Sequence, residues 1–400
     1  MSRSSPDVVI APDVFRWLCG SSGLNATDIS KRIDIPEWIV QSWCDGDQKP
    51  VIPLTKVESL AEMFKRPLAA FLLTHPPEEP RLPIDFRRHQ DAEPGYSKEL
   101  LLVIRKARRM QEIHHELTDN LNISPLTHLK TRTVKEDPET VAYEERARSG
   151  IHISGDTAGV TPVKAFEIWR QWLESQNISI LKIKMPAGDA RGFSLTDGEP
   201  FIIVVNSADA ERARLFTLFH EYAHILLNVP VVCNQGENDL KEYAPIERWC
   251  NHFAGAFLAP VREIEKNPNI HHALTSGNYL RAAGSIRKHF LISDEAGLMR
   301  LLTLKHISPT QFVQGRKQLR DEFALREAKK KQEKELSGDE EDGGFGAQPL
   351  DKKCVAEKGT GYIALVMENV RKGHISNSDA LDYLDVKLRH LEKFQESTGA

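Results

Sequence analysis

The residues between Leu215 and Leu227 combine two histidines and a glutamate with an otherwise apolar run. The apolar residues recur at helical spacing, so His220 and His224, four positions apart, lie one above the other on one helix face. Two imidazoles placed in this way can bind one metal ion, and zinc prefers neutral imidazole as a ligand. Glu221 lies about 100° around the helix from His220. A carboxylate there adjoins a metal-bound water and can act as its general base, so the spacing predicts a zinc-dependent hydrolytic site.

A catalytic zinc site takes a third protein ligand and keeps one position for water. The segment from Pro245 to Pro260 predicts a second helix, since proline can open a helix and stops one that it follows. Glu247, in its first turn, is the candidate third ligand; the alternatives are that Glu247 only complements the helix dipole and that His252 is the ligand. The residues alone do not select the oxyanion-stabilising group from five candidates, which are Tyr222, Tyr243, His252, His271 and His272.

The segment FTLFHEYAHILLN and the later pattern E-x-x-x-N-x-F-A resemble the ImmA/IrrE family of zinc-dependent metallo-endopeptidases. The resemblance implies that His220, His224 and Glu247 bind Zn2+ and that Glu221 is catalytic. It also implies that the substrate is a protein, typically a transcriptional repressor cut under stress. The sequence departs from the family at Cys250, where alanine is usual.

The charge, the hydropathy and the cysteine content of the chain limit the functions that it can have. The net charge is only -4, so a DNA contact has to come from a local surface rather than from a global basic field. The absence of a long apolar run predicts a cytoplasmic protein without a membrane partner. The sequence contains five widely spaced cysteines and no C-x-x-C pair. This pattern favours reduced thiols. Cys233 and Cys250 are expected to be small buried residues; the alternative is that the thiolate of one of them binds the zinc and blocks it.

Residues 12–74 predict five short helices, the second at Ala26–Ile33 and the third at 36–44. Only two residues join this pair, which is the spacing of a helix-turn-helix. The segment resembles an XRE-type, lambda-repressor-like domain, whose third helix enters the DNA major groove. The predicted base-facing residues are Glu37, Trp38, Gln41 and Ser42, and the predicted phosphate contacts are Lys31, Arg32 and Lys49. A helical bundle without DNA contact and a protein-binding module are the alternatives.

No arginine or lysine lies in the third helix to read guanine, so specific binding is expected to need a homodimer or a partner. Three alternating stretches, at 178–184, 191–195 and 201–206, predict an antiparallel sheet before the motif helix. The third strand or its neighbour is expected to receive the substrate as an added edge strand.

The predicted fold class is α+β, with an all-α helix-turn-helix domain, a zincin-like metallopeptidase domain with a small antiparallel sheet, and a helical C-terminal region. The predicted parts are a helix-turn-helix domain (1–74), a Pro-rich linker (75–96), a metallopeptidase domain (97–275), a helical extension (276–325), a mobile charged segment (326–348) and a helical tail (349–400).

The predicted function is a DNA-associated regulatory zinc endopeptidase. The alternative is a helix-turn-helix regulator, or an antitoxin with a toxin partner, in which the zinc fold serves for interaction or sensing.

Overall fold

The structure, a computed structural model, describes residues 5–79, 82–85, 96–123, 129–186, 188–229, 231–233, 244–337 and 350–397. The chain divides into two compact units. The first comprises Met1–Leu82 with Gln90–Arg108, and the second comprises Pro83–His89 with Arg109–Ala400.

The first unit is mainly helical, and its second and third helices lie where the sequence predicts them. Its elements are β1 (Asp7–Val9), α1 (Pro12–Ser22), α2 (Ala26–Ile33), α3 (Glu37–Asp45), β2 (Val51–Pro53), α4 (Leu54–Phe64) and a 3-10 helix (Leu68–Leu72). The fifth predicted helix is thus a short 3-10 helix, and the antiparallel pair β1–β2 was not predicted.

Local capping fixes the ends of α2. The Asn25 side chain accepts a hydrogen bond from the backbone N–H of Asp28 at 2.8 Å, which satisfies one of the free donors at the helix start. Asp34 adopts the left-handed conformation and ends the helix. Asp34 therefore begins the short connection from α2 to α3.

The helices of the second unit surround one sheet. After α5 (Lys98–Asn120), whose first half belongs to the first unit, they are α6 (Pro138–Ser149), α7 (Pro162–Glu174), α8 (Glu211–Leu226), α9 (Ala244–Leu258), α10 (Val261–Lys266), α11 (Pro268–Thr275), α12 (Tyr279–Phe290), α13 (Asp294–Thr303), α14 (Pro309–Ser337), α15 (Leu350–Arg371), α16 (Asn377–Leu384) and α17 (Leu388–Ser397). The strands are β3 (Ile84–Asp85), β4 (Ile178–Ile183), β5 (Gly192–Leu195), β6 (Phe201–Asn206) and β7 (Val231–Cys233).

The sheet is mixed, with strand order β3-β7-β5-β6-β4. β4 runs parallel to β6, whereas β5 is antiparallel to both β6 and β7. The prediction of a purely antiparallel sheet was therefore wrong in the pairing of β4, although all three strands were placed correctly. Of the two strands expected to receive a substrate at the sheet edge, the third is excluded because β6 lies between β5 and β4, whereas its neighbour β4 is an edge strand.

One buried amide explains this strand order. The Asn206 side chain accepts a hydrogen bond from Met185 N and donates to the carbonyls of Met185 and Ala190. Asn206 is the last residue of β6. Its side chain therefore links β6 to Met185, just after β4, and to Ala190, just before β5.

Helices α8 and α9 pack against each other, and α8 also packs on β5 and β6. Their contact is largely aromatic: the rings of Phe219 and Phe257 stack with centroids 4.0 Å apart, and Trp169 of α7 meets both edge-on. Such ring pairs add to the stability that burial provides. The two helices that carry the motif residues are thus held rigidly.

The C-terminal half of the chain covers this core. α12 and α13 lie in the predicted helical extension and pack against each other, and α13 packs on α9 with Leu298 and Leu301 fully buried. α15 packs on the edge strand β4. Of the predicted mobile segment, residues up to Ser337 continue α14 and residues 338–348 lie outside the described part. None of the helices in the described ranges is both long and apolar enough to cross a bilayer.

Candidate metal centre

Three side chains from α8 and α9 converge in the interior of the second unit. The Nε2 atoms of His220 and His224 lie 3.2 Å apart, and they lie 3.3 and 3.1 Å from the two carboxylate oxygens of Glu247. All three residues are buried, with 1%, 0% and 6% of their surface exposed. Among the described residues this is the one group of three or more side chains arranged to hold a metal ion.

The geometry fits a zinc ion. Ligand atoms about 2.0–2.1 Å from a tetrahedral zinc lie about 3.3 Å from one another, close to the spacing of these imidazole and carboxylate atoms. Burying two imidazoles and a carboxylate among apolar side chains costs free energy unless they are paired or coordinated. The donor set of two nitrogens and one oxygen matches a hydrolytic zinc site, in which a further position is left for water.

The electrostatics of the group keep Glu247 ionised. Burial alone would raise its pKa, but the charges and hydrogen bonds of His220 and His224 outweigh burial and hold the pKa well below its usual range. For His220, burial is outweighed by Glu247, so its pKa is raised, whereas burial dominates at His224 and lowers its pKa. An ionised carboxylate facing imidazole nitrogens is ready to bind a cation.

Glu221 lies between the metal-binding group and the sheet. It is fully buried, and its charge contributes to the raised pKa of His220. A Cβ atom on Gly192 of β5 would lie 3.1 Å from Glu221 Oε1 and 2.6 Å from Thr217 Cγ2. The strand can therefore approach this face of α8 only because residue 192 is glycine.

Two residues of α9 surround the histidines. The Asn251 side chain hydrogen-bonds to His220 and helps to raise its pKa. Sequence reasoning assigned no role to Asn251, although it is the asparagine of the E-x-x-x-N pattern. Cys250 Sγ lies 3.6 Å from His224 Nδ1, and burial raises the pKa of this thiol well above its usual value. Cys250 is thus a buried neighbour of the group, and the side chain of Cys233 lies outside the description.

The rival ligand His252 does not reach the metal-binding group. Its Nε2 lies 2.7 Å from Glu139 of α6. The reason is helical geometry, since five residues after Glu247 correspond to about 500°, or 140° away from it. His252 is therefore not the third ligand, and the alternative that named it as the ligand was wrong.

The structure describes three of the other four oxyanion candidates. Tyr222 is buried on the far side of α8, where its hydroxyl donates to Glu145 at 2.8 Å and accepts from Arg148 at 2.9 Å. His271 and His272 are exposed on α11, and Tyr243 lies outside the described residues.

The residues predicted to contact DNA lie on the surface of the first unit. Trp38 is 69% exposed at the start of α3, and Lys31, Arg32, Glu37, Gln41 and Lys49 are also exposed, whereas Ser42 is half-buried.

Four of these side chains already have partners within the unit. Glu37 accepts from Thr27 Oγ1, Arg32 pairs with Glu62, Gln41 donates to Asp45, and Ser42 donates to the Ile39 carbonyl.

A helix bearing His-Glu-x-x-His against a small mixed sheet, with a glutamate from the next helix beside both histidines, defines a zincin-like metallopeptidase domain. Residues 173–302 match the family model described as the IrrE N-terminal-like domain, Peptidase M78. The match covers less than half of the chain, and it confirms the resemblance of this segment to the ImmA/IrrE metallopeptidase family. No curated protein and no solved structure matches the chain.

Proposed function

We propose that the chain is a zinc-dependent endopeptidase whose site is formed by His220, His224, Glu247 and Glu221. The observation that carries this proposal is the convergence of two imidazoles and one carboxylate within hydrogen-bond distance of one another in the protein interior. Zinc bound there would supply an acidified water and would polarise the peptide carbonyl.

In this proposal Glu221 moves the proton. Its carboxylate accepts a proton from the attacking water and passes it to the nitrogen of the leaving amine, as a general base and then a general acid. The fully buried position of Glu221 beside β5 fits this role, because exclusion of solvent strengthens its interaction with charges in the site.

We further infer that the substrate is a protein and, from the family resemblance, a transcriptional repressor that is cut under stress. The N-terminal unit would bring the peptidase to DNA, where a repressor is found.

A digest of proteome-derived peptides tests the hydrolytic proposal. Zinc-loaded protein should generate new N-termini, and Glu221→Gln should reduce their rate of formation by about 10²–10⁴-fold while zinc is retained. Gln has the size of Glu but cannot accept the proton, so the loss reports proton transfer. Undiminished cleavage by Glu221→Gln would refute the proposed role, and no cleavage by the zinc-loaded wild type would refute peptidase activity.

The second candidate function is that of a DNA-binding regulator, or an antitoxin with a toxin partner, in which the zinc fold serves for interaction or sensing. The observation in its favour is the pair of short, consecutive helices α2 and α3, with Trp38 and Gln41 of α3 exposed. If this function is the principal one, Glu221→Gln leaves gene regulation intact, whereas Trp38→Ala with Gln41→Ala abolishes it. Light scattering with and without operator DNA tests the expected homodimer.

A further inference from the structure

The first unit contains two cysteines whose sulfurs almost touch. Cys19 Sγ on α1 lies 3.1 Å from Cys44 Sγ on α3, and both residues are free thiols. Cys19 is 8% exposed and belongs to the core of the unit, whereas Cys44 is half-buried. A disulfide bond is about 2.05 Å long, so the sulfurs need to approach by only about 1 Å to be joined.

The surrounding structure holds the two helices together at this point. Arg16 of α1 donates a hydrogen bond to the Asp45 carbonyl at the end of α3, at 2.8 Å. The same guanidinium covers Gly46, whose left-handed conformation ends the helix. On the inner side, the rings of Phe15 and Trp43 meet edge-on with centroids 5.7 Å apart. Contacts on both sides therefore keep the sulfurs adjacent.

The two thiols differ in pKa and in exposure, and these differences give them different roles in an oxidation reaction. Either sulfur can be the donor in the hydrogen bond between the two thiols. The bond lowers the pKa of Cys44, and together with burial it raises the pKa of Cys19. A thiolate is the form that reacts with oxidants. Cys44, which is also the more exposed of the two, is thus suited to attack, and Cys19 to resolve.

We propose that Cys19 and Cys44 are a redox-active pair that hydrogen peroxide converts into an intramolecular disulfide. The Cys44 thiolate attacks one peroxide oxygen, the O–O bond breaks, and Cys44 becomes a sulfenic acid while the second oxygen leaves as water. The Cys19 sulfur then attacks Cys44, the S–O bond breaks, and the oxygen leaves with the Cys19 proton as a second water. Two thiols are oxidised and one peroxide is reduced.

The described thiols of the second unit lack this arrangement. Cys250 is fully buried, and burial raises its pKa. Cys354 is 5% exposed and donates to the Leu384 carbonyl at 3.4 Å. The pair in the first unit is therefore expected to react first, independently of the metal centre and of the proposed peptidase activity.

Thiol counting and peptide mapping of the full-length protein test this proposal. Limited hydrogen peroxide should reduce the number of titratable thiols from five to three, since two are consumed. Digestion without reductant should yield one linked peptide containing Cys19 and Cys44, and dithiothreitol should restore the count of five. In Cys44→Ser the linked peptide should be absent, and in Cys19→Ser a sulfenic acid should be trapped at Cys44 by dimedone.

Cys354→Ser is the matched control, because it removes a buried thiol elsewhere and should still lose two thiols. A linked peptide between other cysteines, a disulfide between two chains, or direct oxidation of Cys44 to sulfonic acid in the wild type would overturn the proposal. These outcomes are read on the wild-type protein, so they do not depend on the folding of any variant.

Discussion

At the scale of single residues, the distance between β5 and α8 is set by the missing side chain of Gly192. A Cβ there would lie 2.8 Å from the Val204 carbonyl and 2.6 Å from Thr217, closer than folded proteins allow, and 3.1 Å from Glu221. Backbone and a β-branched side chain cannot move aside as a long flexible side chain can. Gly192 therefore fixes the position of the proposed general base.

We predict that Gly192→Ala lowers the free energy of unfolding by about 1–3 kcal/mol, as overpacking does. It should also reduce peptide cleavage, because the displaced strand shifts Glu221. Gly255→Ala is the control: its Cβ would meet only Arg300 Cδ at 3.7 Å, an ordinary contact, so stability and cleavage should be preserved. Chemical denaturation measures the stability and peptide assays measure the cleavage rate. If Gly192→Ala and Gly255→Ala had the same stability and the same cleavage rate, the prediction would be wrong.

The residues of the metal centre could be predicted from the sequence because their spacing on a helix is local. His220 and His224 follow from a four-residue separation alone. The choice of Glu247 over His252 required knowledge of which face of α9 meets α8, and only the family resemblance supplied it. Tyr222 faces Glu145 and Arg148 because two residues turn the helix by about 200°, which sequence reasoning did not apply.

At the scale of elements, one buried ionic cluster ties three helices of the second unit together. Arg300 of α13 is 2% exposed and forms a bidentate ion pair with Glu139 of α6. It also donates a hydrogen bond of 2.8 Å to the carbonyl of Ala259, which follows α9. His252 of α9 contacts the same carboxylate. Partial burial opposes ionisation, but the contacts of Arg300 and His252 outweigh it and lower the pKa of Glu139 to about 2.

We predict that Glu139→Gln destabilises the protein by about 3 kcal/mol at neutral pH, because it leaves the buried Arg300 charge without its counter-ion. The folded pKa lies below the unfolded value of about 4.3. The stabilisation by Glu139 is therefore fully present above that value and is lost as the pH falls towards about 2. The difference between wild type and variant, measured by denaturation at several pH values, should narrow over this range.

Glu368→Gln is the control for this prediction, since it breaks the exposed Glu368–Arg371 pair on α15 and should change little. A pH-independent difference between wild type and Glu139→Gln would show that the carboxylate is not the stabilising group.

The sequence predicted the boundaries of several helices and strands, but it did not predict which strands pair with one another in the sheet. The limits of α2 and β6 agree with the sequence because periodicity and capping are local. Strand order depends on contacts distant in sequence, so the parallel pairing of β4 was missed. One signal was available: the run Ile202–Val205 is apolar on both faces, which is typical of an interior strand.

At the scale of the whole molecule, each unit has its own hydrophobic core, and hydrogen bonds connect the C-terminal helices to the second unit. Arg170, 1% exposed, donates to the carbonyls of Ala356 and Glu357 on α15 at 3.2 and 3.0 Å. Asn369 donates to the Leu117 carbonyl at 3.0 Å. These contacts connect residues far apart in sequence, so composition could not reveal them.

We predict that a chain ending at Ser337 loses stability and solubility. The truncation uncovers the outer edge of β4 and leaves the buried Arg170 without its acceptors on α15, and an unpaired strand edge promotes aggregation. Light scattering and thermal unfolding measure the effect, with Leu388→Ala, a change at a 55% exposed side chain, as control. A truncated chain that remains monomeric with the wild-type unfolding midpoint would show that α15–α17 are dispensable.

The central claim is that His220, His224 and Glu247 together bind one zinc ion. Zinc-edge X-ray absorption of protein loaded with one equivalent of zinc tests it most directly. The account predicts two imidazole nitrogens and one carboxylate oxygen at about 2.0–2.2 Å, with stoichiometric zinc lost in Glu247→Ala. A wild-type spectrum without imidazole scattering, or a Glu247→Ala variant with unchanged zinc content and spectrum, would contradict it.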